Sequence, residues 1–180
     1  MRTMIFTGSL LAACAASAQN ADFVDAVFEI DEAAMIRAVN AQGGNLTNLT
    51  FQITAPGQAG AAFPGVASQV MYLQYTSVKS AAPDDQRALS VDVVGGDFPA
   101  GVSLSLAANP AGTGSTGSGH EVVLSNSQQS GVLVTGIGSA YSGTGAGQGI
   151  PILHMVNFAT ENLDAATAGV VSLQYTLSNY

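Results

Sequence analysis

The sequence predicts an all-β fold: an antiparallel β-sandwich of about eight or nine short strands with one short helix. Three observations predict it. Apolar and polar residues alternate with period two in many short stretches, as in Leu49-Thr50-Phe51-Gln52-Ile53-Thr54 and Leu89-Ser90-Val91-Asp92-Val93. That period packs one face and wets the other. The intervening segments "AAPDDQ", "GGDFPAG", "NPAGTGSTGSG" and "SNSQQSG" carry turn chemistry. The chain is also rich in glycine, with 21 residues, and only 9% of it is charged. Disordered chains are poor in apolar residues, and 47% of this one is hydrophobic.

In chain order, Asp22 to Ile30 reads as an extended strand. Val24, Ala26, Phe28 and Ile30 share one face of it, and Asp25 and Glu29 the other. Asp31 to Val39 reads as the one helix, with good helix formers, acids in its first turn and Gly43-Gly44 beyond its end. Strands follow at Leu49–Thr54, Val70–Val78, Leu89–Val93, Val102–Leu106, Glu121–Ser125, Val132–Thr135, Ile150–Asn157 and Val170–Ser178. On the last of these, Val171, Leu173, Tyr175 and Leu177 form the apolar phase.

The N-terminus reads as a secretory signal peptide over residues 1–18. Arg2 is followed by an apolar run, and Ala16-Ser17-Ala18 is a small-x-small cleavage site. Cleavage there starts the mature chain at Gln19 and leaves residues 19–180 as one domain. Leu11-Ala12-Ala13-Cys14 resembles a lipobox, so lipid anchoring through Cys14 is the alternative. Either route takes the protein out of the cytoplasm. Cys14 is the sole cysteine, so a chain cut after Ala18 has no disulfide and depends on packing.

Charge narrows the partners. Twelve acids against four Lys and Arg disfavour nucleic acid and anionic membrane surfaces, which recruit basic residues. The Met4–Ala16 run is too short for a permanent membrane span. A small outer-membrane barrel is excluded by phase. Counting back from Tyr180, its lipid face would carry Ser178, Thr176, Gln174 and Ser172.

Residues 131–150, "GVLVTGIGSAYSGTGAGQGI", resemble a strand entering a phosphate-binding turn. The dinucleotide fingerprint needs a third glycine and then a helix. Tyr141 stands at the third position, and "SGTGAGQGIP" cannot be helical. The stretch therefore reads as a bulged connection, with Tyr141 laid over the sandwich end. No serine has nucleophile-elbow spacing, and His120 and His154 have no metal-ligand spacing. His154 reads as a partly buried packing residue with a backbone partner. Asp92 and Asp97 flank a Gly-Gly turn; two such carboxylates meeting in space would suit glycoside hydrolysis or Ca²⁺, and scattered surface acids are the simpler reading. The expectation is a non-enzyme with no cofactor and no metal.

The signal peptide, the alternating N-terminal arm, the Gly/Ser/Thr/Ala-rich strands and the terminal strand "VSLQYTLSNY" resemble the secreted, immunoglobulin-like subunits of bacterial fimbriae, the pilin-type proteins. This chain departs from many of them in having no disulfide once cleaved and in placing Tyr180 last rather than penultimate. The resemblance implies a structural subunit of a surface fibre or matrix that self-associates by strand addition and meets an export chaperone. Residues 19–30 would be the donor strand, anchored by Val24, Ala26, Phe28 and Ile30. The apolar phase Val171, Leu173, Tyr175 and Leu177 would serve in assembly. The alternative is a secreted cell-surface adhesion module, with carbohydrate as one ligand class. The absence of Trp leaves it poorly supplied for a sugar platform.

Overall fold

The computed structural model describes residues 26, 28–163 and 169–179. The signal-peptide, Cys14, Gln19 and Val24 readings lie outside them. The chain divides after Ile30 into two units. In the first, Ala26 and Phe28–Ile30, the described residues of the strand expected over Asp22 to Ile30, belong to no strand or helix.

The second unit is an all-β sandwich of two antiparallel layers. Its strands are β1 (Ala33–Val39), β2 (Gln69–Val78), β3 (Arg87–Gly95), β4 (Val102–Ala108), β5 (Thr113–Gly114), β6 (Ser118–Gly119), β7 (Glu121–Leu124), β8 (Ser130–Ile137), β9 (Ala140–Tyr141), β10 (Ile150–Phe158) and β11 (Ser172–Asn179). One 3-10 turn, Thr160–Asn162, follows β10. No helix among the described residues is long and apolar enough to cross a membrane.

Seven strands form the larger sheet. β2 carries β1 along one edge and both β10 and β9 along the other; β10 continues to β4 and β7, and β9 to β5. The smaller sheet runs β11-β3-β8-β6. Inward phases of both layers make the core: Leu73, Leu89, Val91, Leu106, Leu124, Leu133, Ile137, Ile150 and Ile152 are fully buried. Alternation predicted these phases because a strand's side chains point to opposite faces in turn.

Two local expectations fail. Asp31 to Val39 is not a helix, since Ala33–Val39 pairs along its whole length with Val78–Tyr72 of β2. A helix this short is marginal in water, and a vacant sheet edge offers both a ladder and an apolar face. Ile36 and Ala38 pack on the core while Met35 and Arg37 stay exposed, so the segment also satisfies period two. The strand expected at Leu49–Thr54 is absent. Its in-and-out pattern survives, with Leu49, Phe51 and Ile53 half-buried between exposed neighbours, but no ladder forms. Phe51 packs on the core and Gln69 Nε2 donates to the Thr50 carbonyl, so side chains hold the segment instead.

The two flanks of the sandwich differ. On one, the chain crosses from sheet to sheet. β6 pairs with β8 in the smaller layer, β7 pairs with β4 in the larger, and His120 lies between them. The His120 backbone N–H donates to the Leu133 carbonyl at 2.8 Å, and its carbonyl accepts from the Ala108 N–H at 3.2 Å. A strand that switches sheets closes a corner. Glycine permits the approach, because a Cβ on Gly119 would stand 2.1 Å from the Ala108 carbonyl oxygen. On the opposite flank the edge strands are β1 and β11, and among the described residues no ladder joins them.

Candidate functional site

The open flank is the feature from which a function can be built. β1 forms one lip and β11 the other. A shallow open pocket of about 210 Å³ lies between them, lined by Ile36, Arg37, Ala38, Leu73 and Tyr175. β11 is positioned by its ladder to β3, which runs from Ser172↔Gly95 to Asn179↔Arg87 with an irregularity between Ser172 and Leu173. Its inward side chains Leu173, Tyr175 and Leu177, with the preceding Val171, pack on the core. The outward ones, Ser172, Gln174 and Ser178, are exposed. The outer edge of β11 carries no partner strand among the described residues. Such an edge presents a row of unpaired N–H and C=O groups, a template for a further strand.

One polar tie crosses the interior here. His154 of β10 is 1% exposed. Its Nδ1 lies 3.0 Å from the Ile152 carbonyl oxygen and its Nε2 2.9 Å from the Tyr175 hydroxyl. A carbonyl only accepts, so Nδ1 bears the proton and donates, and Nε2 accepts from the phenol. Burial holds the imidazole pKa below its usual value, with the Ile152 and Gln69 backbone hydrogen bonds pulling weakly the other way. Burial likewise pushes the Tyr175 phenol up. Both groups are neutral at ordinary pH, which is what their mutual hydrogen bond requires.

A second tie sits where β1 begins. Arg87 of β3 is buried, and its Nη2 donates to Glu32 Oε1 and, at 3.2 Å, to the Val78 carbonyl of β2. A buried guanidinium needs a countercharge. Glu32 supplies it from the residue before β1, so this pair fixes where the chain emerges from the sandwich.

Of the residues singled out in the sequence, Val171, Leu173, Tyr175 and Leu177 come together at the open flank. Phe28 and Ile30 are 85% and 81% exposed, and Ala26 is exposed too. His154 is more buried than expected, and its second partner, Tyr175, was invisible in the sequence because 21 residues separate them. Arg87 carried a faint signal as one of four Lys and Arg residues set against an apolar run. The glycine-rich stretch has a structural role: its loop covers the outer face of β2, where Gln74 is buried and donates Nε2 to the Gly145 carbonyl at 3.1 Å. Tyr141 does not lie over the sandwich end. It pairs with Thr76 and Thr113 and is 55% exposed, because Ala140–Tyr141 forms a short strand of the larger sheet. Among the described residues, no three His, Cys, Asp or Glu side chains gather at one point.

Comparison of the chain with protein-family models, with curated proteins and with solved structures finds no match.

Proposed function

We propose that this protein is a secreted structural subunit of a bacterial surface fibre or matrix, and that the segment Gln19–Ile30 of one copy adds as a strand at the open flank of the next. The observation that carries the reading is the unclosed flank itself: a free β11 edge backed by the half-buried Leu173, Tyr175 and Leu177, in a chain whose arm exposes Phe28 and Ile30. Lengths agree. Seven-residue Val24 to Ile30 spans roughly 23 Å when extended, and eight-residue β11 roughly 26 Å.

Magnitudes say which interactions matter. Burying Phe28 and Ile30 contributes about 1.5–3 kcal/mol each. Association costs about 4–15 kcal/mol in lost freedom. The two anchors alone do not offset that, so the main-chain ladder and the remaining apolar positions must supply the balance. Before assembly, an exposed apolar arm and an open edge invite aggregation. An export chaperone that covers the flank fits that need.

The test compares the exported chain with a variant lacking Gln19–Ile30 and with Phe28→Asp, by size exclusion and negative-stain microscopy. The expected result is polymer from the parent and folded monomer from both variants. A synthetic peptide of residues 19–30 should bind the truncated monomer. A parent that stays monomeric at high concentration refutes the proposal, as does a truncated form that polymerises normally. A self-contained adhesion module would then be the better account.

A further inference from the structure

The open flank is tied to the larger sheet by a bond that acid can break. Tyr175 makes the one side-chain hydrogen bond of β11 among the described residues, and its partner is the buried imidazole of His154. The other imidazole nitrogen is already committed to the Ile152 carbonyl. Among the described residues, the ladder and hydrogen-bond neighbours of His154 carry no countercharge. β2 sets Gln69 opposite it, β4 sets Leu106, and β11 sets Tyr175. Arg37 of β1 lines the pocket with Tyr175 but is exposed and donates Nε to Asn45 Oδ1 at 2.7 Å.

We infer that the His154–Tyr175 bond is a proton-operated latch that holds edge strand β11 against the larger sheet and releases it in acid. A proton added to Nε2 makes both ring nitrogens donors. The phenol must then turn to accept, which leaves its own O–H without an acceptor, and a charge is created in an apolar interior. β11 keeps its ladder to β3 on one side only. It is therefore the element that yields, while the flank closed at His120 is spared. Burial lowers the imidazole pKa in the closed state, whereas a solvated imidazole has a pKa of about 6.5. The closed flank binds fewer protons than the open one, so closure is complete above about pH 6.5 and is progressively lost as pH falls below it. The loss stops growing below the closed-state pKa. The inference does not depend on the fibre reading, since the latch lies within one copy; if that reading holds, acid loosens the strand acceptor.

The experiment is hydrogen exchange on the exported chain, held below the concentration at which it polymerises, between about pH 4.5 and 8, a window that brackets the ordinary imidazole range. Rates are corrected for intrinsic exchange, with His154 ring nitrogen shifts recorded by NMR in parallel. The neutral ring should carry its proton on Nδ1. Exchange of the 172–179 amides should accelerate as His154 titrates, by roughly tenfold for each pH unit between its closed and open pKa values. Amides of 121–124 should not follow. His154→Gln, which cannot titrate, should remove the acid phase. Tyr175→Phe, which removes the donor favouring the neutral ring, should move the midpoint to higher pH. An Nε2–H tautomer overturns the inference, and so does titration of His154 in the parent with no change in β11 exchange. Either outcome is read on the parent alone, so an unfolded variant does not shelter the idea, and neither requires that the protein polymerise.

Discussion

Gly119→Ala should open the flank that the wild-type chain keeps closed. Gly119 ends β6, one residue before the chain crosses between sheets at His120. The added Cβ would lie 2.1 Å from the Ala108 carbonyl oxygen and 2.7 Å from Pro110 Cδ. The first is backbone and cannot rotate away, so β4 and the crossing must separate. Overpacking of this kind costs about 1–3 kcal/mol. Straining the Ala108 N–H to His120 carbonyl bond and the neighbouring Ala107↔Glu121 pairing loses about 0.5–1.5 kcal/mol for each hydrogen bond affected. Stiffening the unfolded chain returns about 0.4–1 kcal/mol. The balance is near 3 kcal/mol of destabilisation, a fall in Tm of roughly 6–12 °C for a domain this size. Urea denaturation should show a lower midpoint at unchanged slope. Gly57→Ala is the control: nothing lies within 4 Å of its added Cβ, and it should be neutral or slightly stabilising. If Gly119→Ala lies within about 0.5 kcal/mol of wild type, the close approach at the crossing does not bear on stability and the closed-flank argument fails.

Two further outcomes test the packing. Leu104→Asp should destabilise by several kcal/mol, because the side chain is 8% exposed and packs in the core, whereas Ser103→Asp on the outward phase of β4 should be mild; equal urea midpoints would contradict the assigned faces. Glu32→Gln should cost about 1–3 kcal/mol, less than a fully buried pair because the Glu32 side chain is 46% exposed, and should leave Arg87 without its countercharge. A Glu32→Gln chain as stable as the parent would show that the pair does not anchor the start of β1.

Local pattern was readable wherever one strand decides its own faces. Val70–Val78, Leu89–Val93 and Ile150–Asn157 all fall inside observed strands, and Leu73, Leu89 and Ile152 lie in the core. The same reasoning misjudged Asp31–Val39 because propensity is weak there and the deciding term was the open edge of β2, well further along the chain. It placed a ladder at Leu49–Thr54 because alternation reports which way side chains point and not whether an edge is available to pair with.

By itself, then, the sequence determined the fold class and the inward and outward phase of strands that alternate cleanly, such as Leu89–Val93 and Val102–Leu106. Each follows from residues within a few positions of one another, through period two and turn chemistry. Only the tertiary structure decided which flank closes, which strands are edges, that His154 meets Tyr175, and that Arg87 meets Glu32. Those depend on strand order and on partners 21 and 55 residues apart. A chain carries no local mark of either, because the cost of an unpaired edge or a buried charge arises only once the sheets have met.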